Sequence, residues 1–157
     1  MLWLLCLPLR VPPSLPLHCA TLQSRVVLPG HNERSFHIFY QFLTGIDQAT
    51  LDENKLERDT SKYTYLSLSD CSTVEGIDDK EGYKETSDAM TVVKFSAKEK
   101  ADIWKILAVI LHLGNIEFEE VASDYGANSG SEIASDIDNI VAILGADEDE
   151  MSAAFTT

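Results

Sequence analysis

Positive charge is what this sequence has least of for its size. Twelve Lys and Arg stand against 26 Asp and Glu, a formal charge of -14 over 157 residues. Such a field repels the phosphates of nucleic acids and of anionic membrane surfaces, which disfavours nucleic acid as a partner. No Lys or Arg follows Lys105, while acids continue to Glu150. That negative C-terminal third reads as a solvated face. The three cysteines, Cys6, Cys19 and Cys71, form no CxxC pair. Neither a disulfide framework nor a zinc site is indicated, and they read as reduced thiols with no disulfide partner. No apolar run approaches the ~20 residues needed to cross a bilayer, so no membrane span is expected.

Chemical motifs are equally scarce. A Walker-type phosphate loop, GxGxxG, HExxH and GxSxG are all missing from the sequence, and with them the backbone cradles and ligand spacings those motifs supply. Hydrolase-triad residue types occur only unconnected. Asp78 with Asp79, or Asp147 with Glu150, could in principle share acid/base work. Adjacent exposed acids, however, lack the apolar burial that raises one pKa, and a helix-capping role fits Asp78 and Asp79 better. His37 has no second ligand at a suitable spacing and reads as a packed or hydrogen-bonded histidine. On residues alone there is no catalytic, cofactor-binding or metal site.

What the sequence does contain is helix grammar. Ser96 with Glu99 is the capping-box spacing, in which the hydroxyl accepts from an early amide and the carboxylate reaches back to the cap. From Ile103 to Leu113 the residues are apolar except Lys105 and His112. That is more than one face requires, so this helix should be enclosed on several sides. Gly114 suits a left-handed terminator, and Asn115-Ile-Glu-Phe-Glu alternates like a strand.

Residues 1–23 carry no acid, one base at Arg10 and prolines at Pro8, Pro12, Pro13 and Pro16. They lack the basic start of a secretory signal, and the prolines interrupt its apolar run. An unrelated Pro/Leu-rich extension, disordered or misassigned, is the preferred reading, and secretion is disfavoured. Ser24-Arg-Val-Val-Leu28 looks like a strand stopped by Pro29-Gly30. Asn32 can cap a helix whose Phe36, Phe39, Tyr40 and Leu43 form a core stripe ending before Gly45.

One helical turn is expected within 47–56, an extended segment over 63–68, and a helix beginning at Asp78-Asp79 with Tyr83, Met90 and Val93 on its buried face. Ser123 to Ser131 reads as a flexible surface loop. Ile133, Ile137, Ile140, Val141 and Leu144 predict an amphipathic helix closed by Gly145. Asp147 with Glu150 starts another, with Met151, Ala154 and Phe155 on its apolar face. Its stop at Thr157, before packing could be completed, suggests truncation. The fold class is mainly α with a few short strands.

The order of segments is itself informative. SRVVLPGHNERSFHIFYQFLTG, LERDTSKYTYLSLSDCSTVEGIDD, ETSDAM, VVKFSAKEKADIWKILAVILHLGNIEFEE and VAILGADEDEMSAAFTT resemble, in order and spacing, the myosin motor head from Ser24 to Thr157. SRVV followed by NERSFHIFYQ, together with ILHLGNIEF, is the most specific part. LERDTSKYTYLSL and GIDD are most similar to class I, single-headed myosins. Two departures stand out: Ser35 replaces the usual Asn, and Ala20-Thr-Leu-Gln23 replaces the usual Leu-Leu-Glu-Lys.

The resemblance implies an incomplete piece of the α/β P-loop-type motor domain, from the upper part of its actin-binding region. It implies an actin-activated ATPase using ATP and magnesium, with actin filaments and the remainder of the motor as partners, and a cytoplasmic, cytoskeleton-associated location. The family's GESGAGKT phosphate loop, NxNSSR switch I and DIxGFE switch II do not occur in this sequence. No catalytic, nucleotide or metal residue carries over, no cofactor is expected in this chain, and whether it is an enzyme by itself is doubtful. Two functions remain open: an inactive fragment of the motor head, and a non-catalytic protein-binding module derived from one. Because the strand at Ser24–Leu28 would need sheet partners from elsewhere, poor solubility is expected.

Overall fold

The computed structural model describes residues 29–69, 71–121, 130–133 and 137–156. The expected extension over 1–23 and the strand over Ser24–Leu28 lie outside the described residues. Among the described residues seven helices and one hairpin follow in order: α1 His37–Gly45, α2 Gln48–Glu53, a 3-10 turn Thr60–Lys62, α3 Thr64–Ser67, α4 Asp79–Val92, α5 Ala97–Leu113, β1 Phe118–Val121, β2 Gly130–Ile133, α6 Asp138–Leu144 and α7 Glu148–Phe155. The two strands pair antiparallel, with Phe118 opposite Ile133 and Val121 opposite Gly130.

The main core lies between α1 and α5. Phe39, Tyr40, Phe42 and Leu43 from α1 meet Trp104, Ala108 and Leu111 from α5, with Leu51, Leu56, Tyr63 and Leu66 filling one side. The expected stripe is there, and Phe42 widens it, stacking on Trp104 at 5.5 Å between ring centroids. Tyr83 of α4 tilts against the same indole at 5.1 Å. Stacked and tilted aromatic pairs of this kind add to the area they bury. A second, smaller core of Val109, Ile140 and Ile143, flanked by Leu113, Ile116 and Met151, joins α5 to α6. Helix α5 is thus covered on two sides, and Ile106 between them is 55% exposed. Enclosure on every side is not reached.

The caps follow the sequence. Ser96 and Glu99 form the reciprocal capping box of α5, Asp78 accepts from the amides of Lys80 and Glu81 at the start of α4, and Asp47 and Asp147 each accept from the amide three residues on. Gly145, at φ 64°, ends α6 in the left-handed conformation.

Several expectations fail, each for a tertiary reason. Asn32 caps nothing; it sits in a turn at φ 58°, and α1 starts after Phe36 without a side-chain cap. Of residues 63–68 only Tyr63 is extended. Thr64–Ser67 coil as α3 behind it, and both Tyr63 and Leu66 enter the core. Val93 is 67% exposed beyond the end of α4. Ile133 belongs to β2 rather than to α6, and Ile143, not Leu144, faces the core. Of the expected 123–131 loop, Gly130 and Ser131 are strand, and 122–129 lie outside the described residues. Ala154 is exposed, leaving Met151 as the contact of α7 with the second core. Gly114 is right-handed at φ -65°.

Candidate functional site

The most specific sequence motif, ILHLGNIEF, turns out to be a set of joints. His112 Nε2 meets the Asn54 carbonyl at 3.0 Å, and Tyr63 stands edge-on to the imidazole. Asn115 reaches back to the short helix α3: its Oδ1 accepts from the Thr64 amide at 2.8 Å and the Thr64 hydroxyl at 3.1 Å, and its Nδ2 donates to the Lys62 carbonyl at 2.7 Å. Gly114 lets this approach happen, because a Cβ there would lie 2.7 Å from the Tyr65 ring. All three non-apolar letters of LHLGN therefore bind α5 to the 54–65 segment. Periodicity marks which residues enter a core, but it does not say that a His and an Asn are ties.

Arg58 is a second joint, and nothing in the sequence marked it. Its guanidinium donates to the carbonyls of Leu43, Thr44 and Ile46 at 2.8 to 2.9 Å. These are the open carbonyls at the end of α1, where a cation complements the helix dipole. Only the return of the chain after α2 brings Arg58 there. Beside it, Gly45 admits α4: a Cβ would sit 2.4 Å from Tyr83 Cβ. Its role is close approach rather than helix termination.

The third grouping is buried and charged. Arg34 pairs with Asp79, their side chains 3% and 17% exposed, and the guanidinium lies 3.9 Å above the Tyr40 ring. Asp79 was read as a helix-start residue, and it does lie in the first turn of α4, but it also holds the ion pair. The Tyr40 hydroxyl is pushed to a higher pKa chiefly by burial, with the Ser35 backbone and the Arg34 charge opposing. His37, next in line, is exposed, with Nδ1 3.4 Å from Arg34 Nη1.

Two grooves lie among the described residues. One of about 360 Å³ is lined by Gly45, Asp78, Lys80, Tyr83, Lys84 and Asp88 among others. The other, about 310 Å³, lies between Thr50, Asn54, Asp102, Lys105 and Ile143. Among the described residues no group of three or more His, Cys, Asp or Glu could hold a metal ion, and neither groove is lined by a Gly-rich loop.

The sequence that builds these helices and joints places the chain in one class of protein. The family described as the myosin head, the motor domain, matches residues 21–157, and the chain belongs to that family. Among similar proteins, unconventional myosin IC of Drosophila melanogaster is 40% identical over 134 residues, 85% of this chain and 13% of its own length. Unconventional myosin-Ib of Homo sapiens is 36% identical over 135 residues, 85% of this chain and 12% of its own length. Myosin-K heavy chain of Dictyostelium discoideum is 47% identical over 97 residues, 62% of this chain and 11% of its own. The chain thus spans about an eighth of the length of the first relatives it matches.

Proposed function

We propose that this chain is a structural part of an actin-based, ATP-driven motor head of the class I type, and that it does not hydrolyse ATP by itself. The observation that carries this is the match of residues 21–157 to the myosin head in a sequence that lacks GESGAGKT, NxNSSR and DIxGFE. Similarity to unconventional myosins IC and Ib supports the class. In this reading ATP and magnesium belong to other parts of a P-loop-type motor domain, residues 24–157 contribute to its upper actin-binding region, and the location is cytoplasmic at the actin cytoskeleton. The joints at Arg58, His112 and Asn115 then serve to keep one strut rigid.

The test is turnover by the purified chain with and without actin filaments. Phosphate release at the buffer background in both is expected; actin-stimulated release would overturn the proposal. The second function, a protein-binding module without chemistry, separates from the first by co-sedimentation with filaments at physiological salt. No saturable binding is expected, because a chain of charge -14 gains no attraction from an acidic filament.

A further inference from the structure

We propose that the corner between α4 and α5 is a docking surface for a second copy of this chain, and that the segment it receives is the acidic start of α7. The corner runs from Val92 to Lys98 and is apolar where a surface is usually polar. Val92 is 80%, Val93 67% and Phe95 42% exposed, three of four consecutive residues. Apolar side chains that stand together in solvent mark contact sites. The corner is also basic, in a chain of charge -14. Lys94 and Lys98 are exposed, and among the described residues neither reaches a carboxylate. The neighbouring Glu99 carboxylate turns back onto the Ser96 amide and hydroxyl. The corner is held before any partner arrives: Lys94 closes α4 at φ 69°, the capping box opens α5, and Lys100 Nζ donates to the Ser87 carbonyl and the Thr91 hydroxyl across the two helices. A surface fixed in this way loses little freedom on contact.

The same chain carries the complement. Glu148, Asp149 and Glu150 are exposed in the first turn of α7, and among the described residues no ion pair engages them. Ala153 and Ala154, one turn further on, are exposed as well. No Lys or Arg follows Lys105, so nothing in that third of the chain repels a lysine corner. Within one copy the two surfaces make no ion pair, and each stays open to a neighbour. Two copies repel through their net charge at long range. At physiological salt that repulsion is screened beyond about 8 Å, which leaves the contact to the charges and apolar side chains that face each other.

The test is sedimentation equilibrium of the full chain at about 0.15 M salt, with two charge-reversed variants. The average mass of the unaltered chain is expected to rise reversibly with concentration above 17.4 kDa. Lys94→Glu with Lys98→Glu, and separately Glu148→Lys with Glu150→Lys, should each lower the association constant by about tenfold or more, because like charges then face each other. The second pair is decisive. It makes the chain less acidic, so repulsion through net charge alone would strengthen association instead. Mixed in equal amounts, the two variants should associate as the unaltered chain does: the acidic corner of one receives the basic helix of the other, and the lysine corner receives the acidic helix. A misfolded variant could not restore that contact. An unaltered chain that stays monomeric, either variant associating like it, or a mixture that stays monomeric would overturn the proposal. Binding of the unaltered chain to phosphatidylserine vesicles without self-association would assign the corner to a membrane and overturn it too.

Discussion

At the scale of single residues, the informative positions are those where one side chain holds two segments. Arg58 serves three carbonyls at the end of α1. Arg58→Ala should destabilise the chain by about 1.5 to 3 kcal/mol, the range for hydrogen bonds to charged groups. Arg58→Lys should recover less than half, because an ammonium cannot present the planar fork. Denaturant midpoints would decide both. At Gly45 the added methyl would meet Tyr83 Cβ at 2.4 Å. Gly45→Ala should therefore cost about 1 to 3 kcal/mol through overpacking, although Ala favours helix. A stabilised Gly45→Ala would show that α1 and α4 can separate freely.

At the scale of elements, the helices are set at their ends. The Glu99 carboxyl is held below its ordinary value of 4.5 by the Ser96 amide and then the Ser96 hydroxyl. Asp47 is lowered from 3.8, first by the Thr50 amide, and Asp59 from 3.8, first by the Ser61 hydroxyl. Each carboxylate binds its proton more weakly folded than unfolded. Their stabilisation is complete above the ordinary carboxylate range and is lost as pH falls through the lowered values. A thermal midpoint that is flat above that range and drops below it is expected. Ser96→Ala should return the Glu99 carboxyl, followed by NMR, toward 4.5.

The C-terminal ends carry a different lesson. Helix α4 closes through Lys94 N to Thr91 O and Phe95 N to Met90 O, and α2 through Lys55 N to Asp52 O and Leu56 N to Leu51 O. This is the closure usually made by glycine. Here Lys94 and Lys55 take it at φ 69° and 53°, conformations that oppose a Cβ. Lys94→Gly should stabilise the chain by about 1 kcal/mol, read from the unfolding midpoint; a loss would mean that Lys94 makes compensating contacts.

At the scale of the whole molecule, two cores share α5, and the surface keeps Val92 80%, Val93 67% and Ile106 55% exposed. Together with a two-stranded hairpin among the described residues, that surface favours self-association when the chain is expressed alone. Concentration-dependent mass in light scattering is expected. A sharp, cooperative melt from a monodisperse monomer would contradict it.

What the sequence alone determined is the set of features that act over one helical turn: the capping box at Ser96 and Glu99, the carboxylate caps at Asp78 and Asp147, the terminator at Gly145, and the stripe of Phe39, Tyr40 and Leu43. Family membership was legible too, because the order of such pieces is carried by the letters. Tertiary structure decided the rest. Arg34 finds Asp79 across 45 positions, and Asn115 finds Thr64 across 51. Residues 64–67 coil where Tyr63 and Leu66 both enter a core built by α1 and α5. Gly114 and Gly45 matter for the ring or helix that passes over them. The division has one physical cause: a cap is satisfied by the chain three residues away, whereas a joint exists only once the chain has returned.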